Sequence, residues 1–318
     1  MYQWYKGNLH SHTTNSDGLW TPEQAAENYR NEGYSFLCFT DHDRYTDYSK
    51  TLGRDDFLVL PGVEATAVLF DEKQDTVCLH HMNGILGTQQ MQKNAAAGTF
   101  SHMQQVRPDI YYGSDWDGDA AGRKLAKRLK DHGCIVTYNH PVWSRVAPED
   151  FYQIPDIDIL EIYNYNTVNE CGEGYDVTDW DQMLRKGRHI YAAATDDNHN
   201  GGRFPDSFGG FIMVRAQELT HEAICQAILA GDYYASSGPK IYTCSLQGDT
   251  LSIQCSPVAC VHVIAGGPVA TGRTAWRKPD RLLTEAEYHL CGKETYIRVE
   301  CVDEQGHVAW SNPIWIEQ

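Results

Sequence analysis

The stretch YSFLCFTDHD, residues 34–43, decides the fold. Its first seven residues are an apolar run of strand length with no glycine or proline, which reads as a buried strand. It then breaks into Asp41 and His42. The same arrangement recurs along the chain. FLVLPGV (57–63) is followed by Glu64, CIVTYN (134–139) by His140, and HIYAAAT (189–195) by Asp196, Asp197 and His199. IDILEIYN (157–164) reads as one more strand. In a parallel α/β barrel the loops at the C-terminal ends of the strands converge on one mouth, so four strands ending in histidine or carboxylate point to a shared site.

Helices alternate with these strands. TPEQAAENYRNEG (21–33) carries Thr21 as N-cap, Pro22 at the first helical position, Gln24 closing a capping box and Gly33 past the end. DAAGRKLAKRLKDHG (119–133), DWDQMLRKG (179–187) and THEAICQAILAGD (220–232) read as further helices. The alternation predicts parallel βα units in an α/β fold, an open sheet or a barrel. After SSGPKIY (236–242) the pattern changes to short alternating runs punctuated by Gly, Asp and Pro, such as TLSIQC and TYIRVECVD. Residues 1–240 therefore read as the main domain and 241–318 as a small antiparallel β domain.

Composition narrows the function. With 43 acids against 26 bases and a net charge of −17, the chain argues against a nucleic-acid polymer as partner, since such proteins are normally basic. A small phosphorylated molecule remains compatible if cations sit in the site. No apolar run is long enough to span a bilayer, and MYQWYKGN lacks the features of an export signal. Ten scattered cysteines form no CxxC pair, which argues against a thiolate zinc site and fits reduced thiols in a cytosol. DWDGDAAG (115–122) lacks the glycine and distal acid of a calcium loop and reads as a solvated loop.

The candidate ligands start in GNLHSHTTNSDG (7–18). Side chains alternate along an extended segment, so His10 and His12 share a face and can reach one ion; Asp17 follows closely. Imidazoles mixed with carboxylates suit Zn, Mn or Fe, and a carboxylate can bridge two such ions. HxH, NHP or TDDNH alone would carry little weight. Their joint placement at strand ends carries the reading. Of His80 and His81, strand alternation lets only one face the mouth.

HSHTTNSDG, TDHD (40–43), GVE (62–64), NHP (139–141) and DDNH (196–199), in that order, resemble the PHP (polymerase and histidinol phosphatase) superfamily over residues 5 to 240. The AWSNPIWIE ending is similar to the tail of some PHP-domain phosphoesterases, including the branch with carbaryl-hydrolase-like proteins. The resemblance implies a distorted (βα)7 barrel holding two to three divalent ions. It implies His10, His12, Glu64 and Asp197 around the first. Glu64 would bridge to a second held by His81 and His140, with His81 favoured over His80 by the HMNGIL that follows. Asp17, His42 and His199 would hold the third. The family usually has Ser where this chain has Asp196, so Asp197 is the expected ligand and Asp196 an alternative. The implied activity is a metal-dependent phosphoesterase acting on a small phosphorylated molecule through a metal-bridged hydroxide, with Glu64, Asp197 and Asp196 as catalytic carboxylates. The alternative is hydrolysis of a non-phosphate ester, amide or carbamate. Arg145 and Arg203 follow the ligand motifs and are expected to orient phosphate by a forked contact, and Trp143 to line the pocket.

Overall fold

The structure, a computed structural model, describes residues 2–316. Its architecture is mixed α/β. A ten-stranded sheet runs in the order Arg273–Trp276, Cys260–Ala265, Tyr296–Val302, Val308–Ser311, Tyr233–Ser236, Phe211–Ala216, Gln3–Asn8, Phe36–Cys38, Leu58–Leu60, with Ile314–Trp315 off its path. A second sheet runs Tyr191–Thr195, Ile159–Asn164, Cys134–Tyr138, Thr76–Leu86, Gly62–Phe70, Asp109–Tyr112.

The two sheets meet at two seams. At one, Leu60 passes through Pro61 directly into the Gly62–Phe70 strand, and His42 and Glu64 form a parallel bridge. At the other, Ser11 and Asn198 form a parallel bridge, His12 N donates to Asn198 O at 3.1 Å and Asp197 N to His10 O at 3.0 Å. Phe36, Leu60, Val63, Met82, Val136, Leu160 and Ala193, drawn from both sheets, share one buried core.

The first helix, Pro22–Asn31, begins with the expected capping box: Thr21 Oγ1 accepts from Gln24 N at 3.3 Å and Gln24 Oε1 accepts from Thr21 N at 2.9 Å. The later helices form at Gly118–Asp131, Val177–Arg185 and His221–Leu229. Asp117, inside the supposed calcium-like loop, is the N-cap of the 118–131 helix and accepts from Ala120 N at 3.0 Å.

Not every connection is a βα crossover. Thr76–Leu86 pairs antiparallel with both Gly62–Phe70 and Cys134–Tyr138, and Phe211–Ala216 antiparallel with Gln3–Asn8. Only 71–75 separate the two strands of the first pair, too short for a crossover helix. Asp71 Oδ1 tightens that turn by accepting from Lys73 N at 2.8 Å and Asp75 N at 2.9 Å.

Beyond residue 240 a three-stranded antiparallel sheet (Ile241–Gln247, Thr250–Val258, Leu283–His289) faces the far end of the long sheet. A second apolar cluster, with Leu251, Ile253, Val261, Ile297 and Val299, fills the space between them. The long sheet is continuous through the pairing of Tyr233–Ser236 with Val308–Ser311. Asn312 adds a further tie: its Oδ1 accepts from Ala192 N at 3.0 Å and its Nδ2 donates to Tyr233 O at 3.0 Å. No helix among the described residues is long and apolar enough to cross a membrane.

Candidate metal centre

The Gln3–Asn8 strand continues as an extended segment, so His10 and His12 point the same way, with ring centroids 5.2 Å apart. Asn8 sets its exit: Nδ2 donates to His10 O at 2.8 Å, while Oδ1 accepts from Asp196 N at 3.1 Å across 188 positions of sequence. Both imidazoles are fully buried. Their Nε2 atoms face each other at 3.2 Å. His10 Nε2 lies 3.2 Å from Glu64 Oε1 and 3.2 Å from Asp197 Oδ1. His12 Nε2 lies 3.3 Å from Glu64 Oε2 and 3.0 Å from Asp197 Oδ1.

Glu64, beside the sheet seam, gathers three more histidines. His81 Nδ1 is 3.1 Å and His140 Nε2 3.4 Å from Oε1, and His42 Nδ1 is 2.9 Å from Oε2. Asp17 stands at the outer side, 3.6 Å from His42 Nε2 and 3.4 Å from His199 Nε2. The structure thus brings His10, His12, Asp17, His42, Glu64, His81, His140, Asp197 and His199 into one constellation. Within it, His10, His12, Glu64 and Asp197 form one tight group of ligand atoms, His12, Asp17, His42 and His199 a second, and His42, Glu64 and His81 a third.

The donor chemistry fits divalent cations. Two ligands each about 2.0–2.2 Å from one ion stand about 3.0–3.4 Å apart in octahedral or tetrahedral geometry, and most of the separations above fall in or near that range. Glu64 Oε2, Asp197 Oδ1 and His81 Nδ1 are buried and have no hydrogen-bond partner. Buried carboxylate oxygens without donors are costly unless a cation compensates them. Burial works against ionisation of Glu64 and Asp197, yet the surrounding imidazoles outweigh it and hold both pKa values well below the carboxylate range. Burial likewise opposes protonation of His10 and His199, but the acids win: His10 is raised well above an ordinary imidazole, and His199, bonded to Asp17, rises to about 9. The cluster demands positive charge, and bound cations can supply it in place of protons.

Two expectations, those for Asp196 and Arg145, meet a different placement. Asp196 does not face the cluster. Its carboxylate accepts from Tyr29 Oη at 2.6 Å, Phe208 N at 2.8 Å, Gly209 N at 2.9 Å and Gly210 N at 2.8 Å, so it anchors the 208–210 turn and stands apart from the cluster of candidate ligands. His80 is turned to the opposite side of its strand. Arg145 is exposed and pairs with Glu173 at 2.7 Å, outside the cavity. Its backbone is left-handed (φ 59°). Arg203, by contrast, lines the cavity of about 480 Å³ above the cluster, with Trp143, Leu19, Asn166, Glu170 and Phe204.

Sequence reasoning missed Glu161. It is fully buried, with Oε1 2.9 Å from His10 Nδ1 and Oε2 accepting from His140 N at 2.9 Å. Its signal was available: an acid inside ILEIYN, with apolar residues on both sides and therefore no water to reach. Asn139, whose Nδ2 donates to Glu64 Oε1 at 2.7 Å, and Asp41, which accepts from Thr13 N at 2.7 Å, also brace the site.

Neither a family model nor a curated protein matches the sequence. Among solved structures, the chain is similar to a two-domain protein from Bacteroides vulgatus containing a predicted PHP-like metal-dependent phosphoesterase. The identity is 15%, with 98% of this chain and 96% of that one covered, at a TM-score of 0.48. It is also similar to a candidate metal-dependent phosphoesterase from Bifidobacterium adolescentis, at 16% identity, 70% and 95% coverage and a TM-score of 0.43.

Proposed function

We propose that this chain is a metal-dependent phosphoesterase of the PHP superfamily acting on a small phosphorylated molecule. The strands joined at the two seams are then the distorted (βα)7 barrel, and residues 241–318 a small sandwich-like domain joined to it through the long sheet. His10, His12, Glu64 and Asp197 hold one ion, Glu64, His81 and His140 a second, and Asp17, His42 and His199 a third. Zn, Mn or Fe in these positions would supply Lewis-acid charge and an activated water.

The observation that carries the reading is Glu64. Its two oxygens, fully buried, face histidines from four separate chain segments: His10, His81 and His140 at Oε1, His12 and His42 at Oε2. A single carboxylate so surrounded is built to serve two cations. Around it the chain positions and encloses. Arg203 at the cavity wall can accept a phosphate by two parallel N–H···O contacts, and Trp143, fixed by its Nε1 donating to Glu170 Oε2 at 3.0 Å, narrows the space beside His140. Asp17, Asp206 and Glu170 make the mouth acidic, so an anionic substrate depends on the cations and Arg203 to enter.

Elemental analysis after metal-replete purification, followed by a panel of phosphomonoesters and phosphodiesters with Mn, Zn and Fe, tests the proposal. Two to three transition metals per chain with turnover of a phosphoester is the expected result. One metal or none removes the multinuclear reading. Full metal occupancy with turnover only of carboxylic esters, amides or carbamates makes the carbon-centred hydrolase the better reading. The placement of Arg145 away from the cavity is the observation in that alternative's favour.

A further inference from the structure

The Ile159–Asn164 strand is buried along its whole length, so the carboxylate at its centre is cut off from water. A carboxylate in that position has to be met by donors. Glu161 is met by four, each from a different residue. Oε1 takes His10 Nδ1 at 2.9 Å and the Thr195 hydroxyl; Oε2 takes His140 N at 2.9 Å and Asn164 Nδ2 at 2.9 Å. We infer that Glu161 is the positioning residue of the metal centre, orienting three of its ligands at once. This rests on reading the site as a metal centre.

The first ligand is His10. With Nδ1–H donated to Glu161, the nitrogen that gives up its proton to a cation is Nε2, and that nitrogen faces Glu64 and Asp197, 3.2 Å from each. The second is His140, whose backbone sits at φ 26°, a conformation a non-glycine residue holds only when its surroundings enforce it. The bond from His140 N to Glu161 is one such restraint. The third is Asp197, reached through Asn164. The Asn164 amide has two hydrogens; one goes to Glu161 and the other to Asp197 Oδ2 at 3.0 Å, leaving Asp197 Oδ1 turned toward His10 and His12.

Glu161 is itself close enough to His10 and His140 to be considered a ligand. Two facts oppose that. Its oxygens are already occupied by hydroxyl, amide and backbone donors. A metal beside it would also need His10 Nδ1, while His10 Nε2 faces the main cluster.

Glu161→Gln tests the inference because it keeps the shape and breaks the donor pattern. If the amide oxygen faces His140 N, the NH₂ meets His10 Nδ1, which must then become an acceptor, moving the proton to Nε2 where the metal should bind. Zinc affinity, measured by competition with a chromophoric chelator, is expected to fall by about 10- to 100-fold. In zinc-loaded wild type, ¹⁵N NMR should show a protonated His10 Nδ1, and in the variant that state should be lost. Equal zinc affinity in the two proteins overturns the inference, as does a zinc-loaded wild type without a proton on His10 Nδ1, the result expected if Glu161 were a ligand. The wild-type spectrum decides even if Glu161→Gln fails to fold. A wild type that binds none of zinc, manganese or iron removes the metal reading and this inference together, an outcome distinct from the other two.

Discussion

His80 and His81 are neighbours in one strand and face opposite ways. His80 bonds Tyr138 Oη at 2.6 Å and Gly118 O at 2.8 Å and stacks on Trp116, while His81 Nδ1 stands 3.1 Å from Glu64 Oε1. The pleat alternates side chains between the two faces of a sheet, so one imidazole is given to the core and the other to the cavity.

The pair therefore separates metal binding from packing. His81→Ala is expected to weaken metal binding by about 10-fold or more, whereas His80→Gln keeps the full metal complement. Elemental analysis of both variants checks this. Equal metal loss in the two would contradict the assignment.

His80 also makes the fold sensitive to acid. Burial lowers its pKa to about 4, below the 6.5 of an exposed imidazole. A group whose folded pKa lies below its unfolded value gives its full stabilisation above pH 6.5 and loses it as the pH falls toward 4. Through that window His80 should cost up to about 1.4 kcal/mol per pH unit, because the unfolded chain binds a proton the folded one refuses. Denaturant titrations at pH 4.5, 5.5 and 6.5 on wild type and His80→Gln should show a shallower slope in the variant.

Glu64→Gln keeps the size of the side chain but removes its charge. About one metal per chain should be lost, and hydrolysis should fall by about 100-fold or more, the upper end for changes around a metal. Metal content and turnover measured on the same preparation check it; near-normal values for both would reduce Glu64 to a strand-end residue.

Arg203 and Arg145 should behave differently. Arg203→Lys keeps the charge but loses the fork, and inhibition by inorganic phosphate should weaken by about 1.5–3 kcal/mol. Arg145→Lys, altering an exposed ion pair with Glu173, should leave it unchanged. The phosphate inhibition constants of the two variants decide.

Asp196→Ala should destabilise the chain without removing a metal ligand. It leaves the Phe208, Gly209 and Gly210 amides without their acceptor. A buried donor left unpaired costs about 1–3 kcal/mol, and since Gly210 is buried while Phe208 and Gly209 are half-buried, a loss of about 1–3 kcal/mol is expected in urea unfolding.

The contrast between what the sequence disclosed and what it hid follows the range of the interactions. Thr21 and Gln24 announce their helix because a capping box is local. The strand ends announce the site because a histidine or acid closing an apolar run is visible without its partners. Glu161 lies inside its apolar run, which marks it as a buried acid but not as part of the site, because its partner His10 lies 151 positions away. Arg145 and Arg203 follow ligand motifs equally closely, but proximity in sequence does not set direction: Glu173 takes one of them at the surface and the other lines the cavity. The hairpin across 71–75 broke the parallel pattern because five residues cannot hold a crossover helix.

The bond between Asn8 and Asp196 has a consequence in time. Ribosomes add about 5–20 residues per second, so His10 and His12 emerge roughly 10–40 s before Asp197 exists to face them. The edge carried by Tyr233–Ser236 then waits a shorter time, about 4–15 s, for Val308–Ser311. Contacts of such sequence separation form late and slowly, because the loop must close before the pairing rewards it. For that interval the two histidines are ligands without a site, and the metal centre cannot close before the chain has passed Asp197.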